Sequence, residues 1–130
     1  MSKIEVNAIE PQCGTTLTIG ASDTSIAGIG TVNWDTTAKT AAFTAVSGRG
    51  YFVNTTSGAI TVTLPASPSA GDIVSISDYA GTFTSNNVTV GRNGSNINGA
   101  GSDLVVSANA SAFTLVYVNA TLGWVYKDKI

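Results

Sequence analysis

The chain has no histidine and a single cysteine among its 130 residues. Without histidine it lacks the commonest general base and the commonest metal ligand. Together the two shortages exclude the usual zinc sites, the usual nucleophilic dyads and any disulfide within the chain. Cys13 is therefore read as a small buried or bystander residue, not a nucleophile. Charge is scarce too: Asp, Glu, Lys and Arg make up 11% of the residues, against ~25% in an ordinary soluble domain. The net charge of −2 and the lack of any basic cluster give no electrostatic footprint for nucleic acid. No apolar run approaches the ~20 residues that span a bilayer, so no membrane partner is expected. The first residues carry no signal-peptide core, and synthesis in a cytoplasm is the expectation.

Eight carboxylates remain: Glu5, Glu10, Asp23, Asp35, Asp72, Asp78, Asp103 and Asp128. Most stand beside glycine, serine or threonine, as turn residues do. A glycosidase needs only two carboxylates at a suitable separation, but no local pattern selects a pair. Asp72 or Asp78 with loop carbonyls could bind calcium, without the spacing of an EF-hand. No catalytic residue, metal ligand or cofactor is assigned, and the chain is not expected to be an enzyme. Gly28 with Gly30, and Gly99 with Gly101, lack the strand–turn–helix context of a phosphate loop and read as turns. Asn54, Asn87, Asn93, Asn109 and Asn119 each open an Asn-x-Ser/Thr triplet, read as chance in a chain rich in those residues. Trp34, Tyr51, Tyr79, Tyr117, Trp124 and Tyr126 could form a sugar-stacking platform, although aromatics in strands more often serve a core or an interface.

What the chain does have is strand pattern. Ile60, Val62 and Leu64 alternate with Thr61 and Thr63, Pro65 and Pro68 stiffen a turn closed by Gly71-Asp72, and Val74 and Ile76 resume the alternation. These read as neighbouring strands of an antiparallel domain. Residues 41–46 and 51–55, joined through Ser47-Gly48-Arg49-Gly50, read as a hairpin, and Asn93-Gly94 marks a tight turn. Phe113, Leu115 and Tyr117 alternate with Thr114, Val116 and Val118, a strand apolar on both faces that calls for a cover on each. Phe113, Leu115, Val116, Tyr117 and Val118 are accordingly the expected oligomer interface. Trp124 sits in the closing strand and is expected to be buried. Eight or nine short strands and no helix predict an all-β fold, a small antiparallel β-sandwich or jelly-roll-like barrel.

The first residues differ. Ile4, Val6, Ile9, Leu17 and Ile19 lie in short strand-like pieces interrupted by Pro11, Gly14 and Gly20, too sparse to bury their own backbone. Such a segment gains most by adding to another sheet or lying in a groove. The predicted organisation is an extended anchoring arm over residues 1–30 and a β-sandwich knob over residues 31–130.

The strings GYFVNTTSGAITVTLPASPSAGD (50–72), DYAGTF (78–83), VGRNGSNI (90–97) and TLVYVNATLGWV (114–125) resemble a small β-domain of virion structural proteins of marine tailed phages, especially tail fibres. The opening SKIEVNAIEPQCGTTLTIGAS (2–22) is similar to the amino-terminal segment of the same kind of protein. A tail fibre carries a long repetitive shaft between two such ends, and this chain has almost none. The resemblance therefore implies a compact virion protein, above all a capsid decoration (cement) protein, with a fibre or spike tip that binds host glycans as the alternative. It further implies a homotrimer, with the major capsid protein as its main partner.

Overall fold

The structure, a computed structural model, describes residues 32–130. The expected arm, with Ile4, Val6, Ile9, Leu17 and Ile19, lies outside the described residues. The described part is all-β, as predicted. Its strands are β1 (Asn33–Lys39), β2 (Phe43–Thr44), β3 (Arg49–Val53), β4 (Ile60–Thr63), β5 (Ile73–Asp78), β6 (Val88–Gly91), β7 (Leu104–Val106), β8 (Ala112–Asn119) and β9 (Gly123–Lys129). Sheet A has the order β1-β3-β5-β8-β9 and sheet B the order β2-β4-β6-β7.

The alternating side chains do what period-two patterning requires. Tyr51, Val53, Val74, Ile76, Phe113, Leu115 and Trp124 of sheet A meet Ile60, Val62, Val88 and Val90 of sheet B in one buried core. Register stacks these residues in rows: Phe43, Val62, Val90 and Leu104 run across sheet B, and Tyr51, Ile76 and Phe113 across sheet A. Tyr51 also serves a corner, its phenol oxygen accepting the Val46 N–H at 2.8 Å.

The pairing corrects the antiparallel expectation. The chain crosses between sheets at each step from β1 to β6, so β1, β3 and β5 pair parallel, as do β2, β4 and β6. β4 and β5 lie in different sheets, and so do β2 and β3. The Pro65–Asp72 and Ser47–Gly48 connections are corners between sheets, not hairpin turns. A parallel pair needs a crossover, and here a strand of the opposite sheet takes the place of the usual helix. The route is that of a short β-coil and not of a jelly roll. Only after β6 does the chain fold back on itself, pairing β6 with β7, β5 with β8 and β8 with β9 antiparallel. Asn93 and Gly94 form the expected tight turn, both with positive φ and with the Ser95 N–H donated to the Arg92 carbonyl at 3.1 Å.

Two features close the core. Phe83, in the loop between β5 and β6, is fully buried. Trp124 is fully buried as well, and its indole N–H has no hydrogen-bond partner. Just before it, Gly123 has φ +70° and lies against the Asn96 carbonyl, where any Cβ would collide. That approach lets Asn96 and Asn98 pair with Trp124 through the Trp124 N–H to Asn96 (2.9 Å) and the Asn98 N–H to Trp124 (2.7 Å).

Trp124→Ala should cost roughly 3–5 kcal/mol through the cavity it leaves. Trp124→Phe should cost clearly less, because the indole N–H is already unpaired. Thermal melts of the three proteins check the order, and equal losses for both variants would contradict it.

Candidate functional site

The carboxylates are the first candidates for chemistry, and in the fold they hold turns. Asp78 sits at the end of β5. Its Oδ1 accepts the N–H groups of Gly81 (2.9 Å) and Thr82 (3.3 Å), and its Oδ2 those of Ala110 (3.0 Å) and Phe83 (3.4 Å). One side chain thereby ties the β5–β6 loop to the β7–β8 loop. Thr84 N–H reinforces the tie by donating to Asn109 Oδ1 at 2.7 Å. Asp72 accepts the Ser69 N–H at 2.9 Å across the proline turn, and Asp103 accepts the Arg92 N–H at 3.0 Å. Asp35 and Asp128 are paired with Lys39 and Lys127, each at 3.1 Å. Hydrogen bonds from Lys39 and the Thr37 amide hold the Asp35 carboxyl below its ordinary value, and those from Lys127 and Thr114 do the same for Asp128. The described residues contain no group of three candidate metal ligands. Asp72 and Asp78, the calcium candidates, point instead at backbone donors.

The aromatics do not assemble into one platform. Tyr51 and Trp124 are core, and Tyr117 and Tyr126 pack against it. Tyr117 meets Trp124 edge-on at 5.7 Å, and Tyr126 meets Phe113 edge-on at 5.9 Å. Partial burial raises the Tyr126 phenol above its ordinary value. Tyr79 is exposed in the loop after β5. Trp34 is 40% exposed and stacks on Phe52, ring centroids 4.9 Å apart and planes 27° from parallel. It can lie flat because Gly50 beneath it has no side chain; a Cβ there would come within 2.6 Å of the ring.

Sheet A has an outer face as well as a core face. Facing away from the core, Trp34, Gly50, Ser75 and Thr114 follow one register row, Phe52, Ser77 and Ala112 a second, and Ile73, Val116 and Val125 a third. β8 is thus apolar on both faces, as its sequence predicts. Phe113 and Leu115 are buried within the chain's own core, and Tyr117 packs on it. Val116 and Val118 face outward, Val118 being 39% exposed. Of the five expected interface residues, Phe113 and Leu115 are closed off in the chain's own core, Val116 and Tyr117 are half-buried and Val118 is exposed. Sequence reasoning missed that Trp34 and Phe52 lie on the same outer face, at its opposite corner. The Gly50 beneath the tryptophan was the available signal.

A cleft of about 340 Å³ opens between β7 and the end of β9, lined by Val105, Val106, Ser111, Phe113, Tyr126 and Lys129. Lys129 Nζ lies 5.1 Å from the Tyr126 ring centre and covers its face. No helix among the described residues is long and apolar enough to cross a membrane. No family model matches the chain, and no curated protein matches it.

Two outcomes follow from this geometry. Asp78→Ala removes acceptors from four amides and should destabilise the knob by about 1.5–3 kcal/mol, measured by denaturant titration; a neutral result would mean the two loops hold without the clamp. Gly50→Val should lift Trp34 off the sheet and weaken the near-ultraviolet circular dichroism of the Trp34–Phe52 stack while the far-ultraviolet β signal persists. An unchanged near-ultraviolet spectrum would contradict the packing.

Proposed function

We propose that this chain is a structural, non-enzymatic component of a tailed-phage virion, a trimeric capsid decoration (cement) protein that stabilises the particle. The segment strings support the setting. The observation that carries the structural role is the contrast between the knob's loops and its outer sheet face. The loops are clamped by their own carboxylates, Asp78 above all. The face, by contrast, leaves Val116 and Val118 apolar and turned outward. A charge-poor module that leaves apolar side chains partly exposed on one sheet face suits a subunit whose work is to sit in an assembly. In this reading the arm of residues 1–30 anchors the knob to the major capsid protein by strand addition, and the protein, made in the host cytoplasm, resides on the virion.

The exposed Trp34 ring favours a second reading, a tail-fibre, head-fibre or spike tip that binds host surface glycans. Copy number separates the two: decoration requires hundreds of copies per particle and a tip a handful. A glycan screen of the isolated protein is the companion measurement.

Deleting residues 2–20 should leave a folded, β-rich knob that no longer binds particles lacking the native protein, measured by sedimentation with the particles. Full decoration by the truncated chain would move the anchor into the knob.

A further inference from the structure

We propose that Asn93 is a site of spontaneous covalent modification, deamidation through attack by the Gly94 amide, and that the fold shields Asn98 from the same reaction. The chain holds two Asn-Gly pairs, Asn93-Gly94 and Asn98-Gly99. Both are exposed turns with positive φ at each residue. A glycine after the asparagine has no Cβ to block the approach of its nitrogen to the side chain. In the reaction the Gly94 nitrogen gives up its proton and bonds to Asn93 Cγ. The side-chain amide leaves as ammonia and a cyclic succinimide remains. Solvent water then opens the ring at either carbonyl, leaving aspartate or isoaspartate.

The two turns differ in what must break before that attack. Gly94 N–H meets no acceptor among the described residues, and a Cβ on Gly94 would meet nothing within 4 Å. Attack there needs Asn93 Nδ2 to leave the Leu64 carbonyl (2.9 Å) and the Ser95 N–H to leave the Arg92 carbonyl (3.1 Å). At the second pair the nucleophile itself is engaged, because Gly99 N–H donates to the Leu122 carbonyl at 2.9 Å. Asn98 N–H donates to the Trp124 carbonyl at 2.7 Å, and Asn98 Oδ1 accepts the Tyr126 N–H at 3.3 Å. Opening that turn strips β9 beside its buried tryptophan. Each additional bond makes the reactive state several-fold rarer, so Asn93 should convert roughly 10-fold or more ahead of Asn98.

The change also has a defined structural effect. The parallel β4–β6 ladder runs on to the Leu64 N–H, donated to the Gly91 carbonyl at 2.8 Å. A backbone N–H would ordinarily supply the next rung, to the Leu64 carbonyl. The chain has turned away by then, and Asn93 Nδ2 takes that place. Aspartate or isoaspartate has no donor there and sets a carboxylate against the carbonyl of a fully buried residue. Asn98 serves Tyr126 as an acceptor, which aspartate would remain. Conversion at Asn93 therefore loosens, slowly and in one direction, the corner that leads through Pro65 to β5.

The test uses the full chain, aged at mildly alkaline pH and mapped by peptide mass spectrometry and isoaspartate methylation. Conversion should appear at Asn93 first and quicken as pH rises. The same chain unfolded in urea should convert both asparagines at similar rates. Asn93→Asp should lower the melting temperature by roughly 4–8 °C, and Asn98→Asp should leave it near the native value. The order of conversion is read on the unaltered chain, so it stands even if a variant fails to fold. Asn98 converting first, equal rates in the folded chain, or no conversion while the urea-unfolded chain converts fully would each overturn the proposal. Aged protein that melts like fresh protein overturns the role given to the Asn93–Leu64 rung.

Discussion

In the first half of this fold no strand can find its partner until the chain has crossed the core and come back. β1 waits for β3, β3 for β5, β2 for β4, and each ladder between them is parallel. No local hairpin in this half can form first and be packed later. The ladders and the core must consolidate together, which makes the contacts non-local and folding slow relative to a hairpin-built sandwich. Everything downstream depends on this winding. The β6–β7 and β8–β9 hairpins extend the two wound sheets, and Trp124 is sealed between Tyr117 of β8 and the Asn96–Asn98 loop. The carboxylate clamp at Asp78 makes sense in the same terms, since it joins a loop of the wound half to a loop of the folded-back half.

The sequence makes faces legible and partners illegible. Alternation at Ile60, Val62 and Leu64, at Val74 and Ile76, and at Phe113 and Leu115 marks the core side of each strand, and all of these are buried. Alternation does not say which strand lies alongside, because a hairpin and a sheet-to-sheet corner both place turn residues between two strands. Pro65, Pro68 and Gly71-Asp72 read equally well as either. Phe83 escaped because a loop residue has no period to betray it. Trp34 escaped in the opposite sense, being a strand aromatic that lies on the outside, supported by a glycine. The arm is another matter, since its residues lie outside those described.

Two of the Asn-x-Ser/Thr triplets also gain a physical reason. Asn54 Oδ1 accepts the Thr56 N–H at 3.1 Å and the Thr56 hydroxyl at 2.6 Å, and Asn119 Oδ1 accepts the N–H groups of Thr121 and Leu122. At these two of the five triplets the asparagine side chain stands in for a backbone carbonyl in a tight turn, and the residue two places on is held by it. The sandwich's two open sides are managed with equal economy. Lys39 reaches over the Phe43 and Tyr51 rings on the β1–β2 side, and Lys129 reaches over Tyr126 on the β7–β9 side. In each case it is the ammonium that lies over the ring faces, and a charge held at an edge strand discourages another sheet from pairing there.

The placement of the two tryptophans has a practical consequence. Trp124 is sealed in the core and Trp34 lies half-open on the outer face of sheet A. Their intrinsic fluorescence therefore comes from two unlike environments, one blue and shielded, the other redder and open to a soluble quencher. The chain contains these two tryptophans and no others. A quenching titration thus separates loss of the fold, which opens Trp124, from loss of whatever covers the sheet, which changes Trp34 alone.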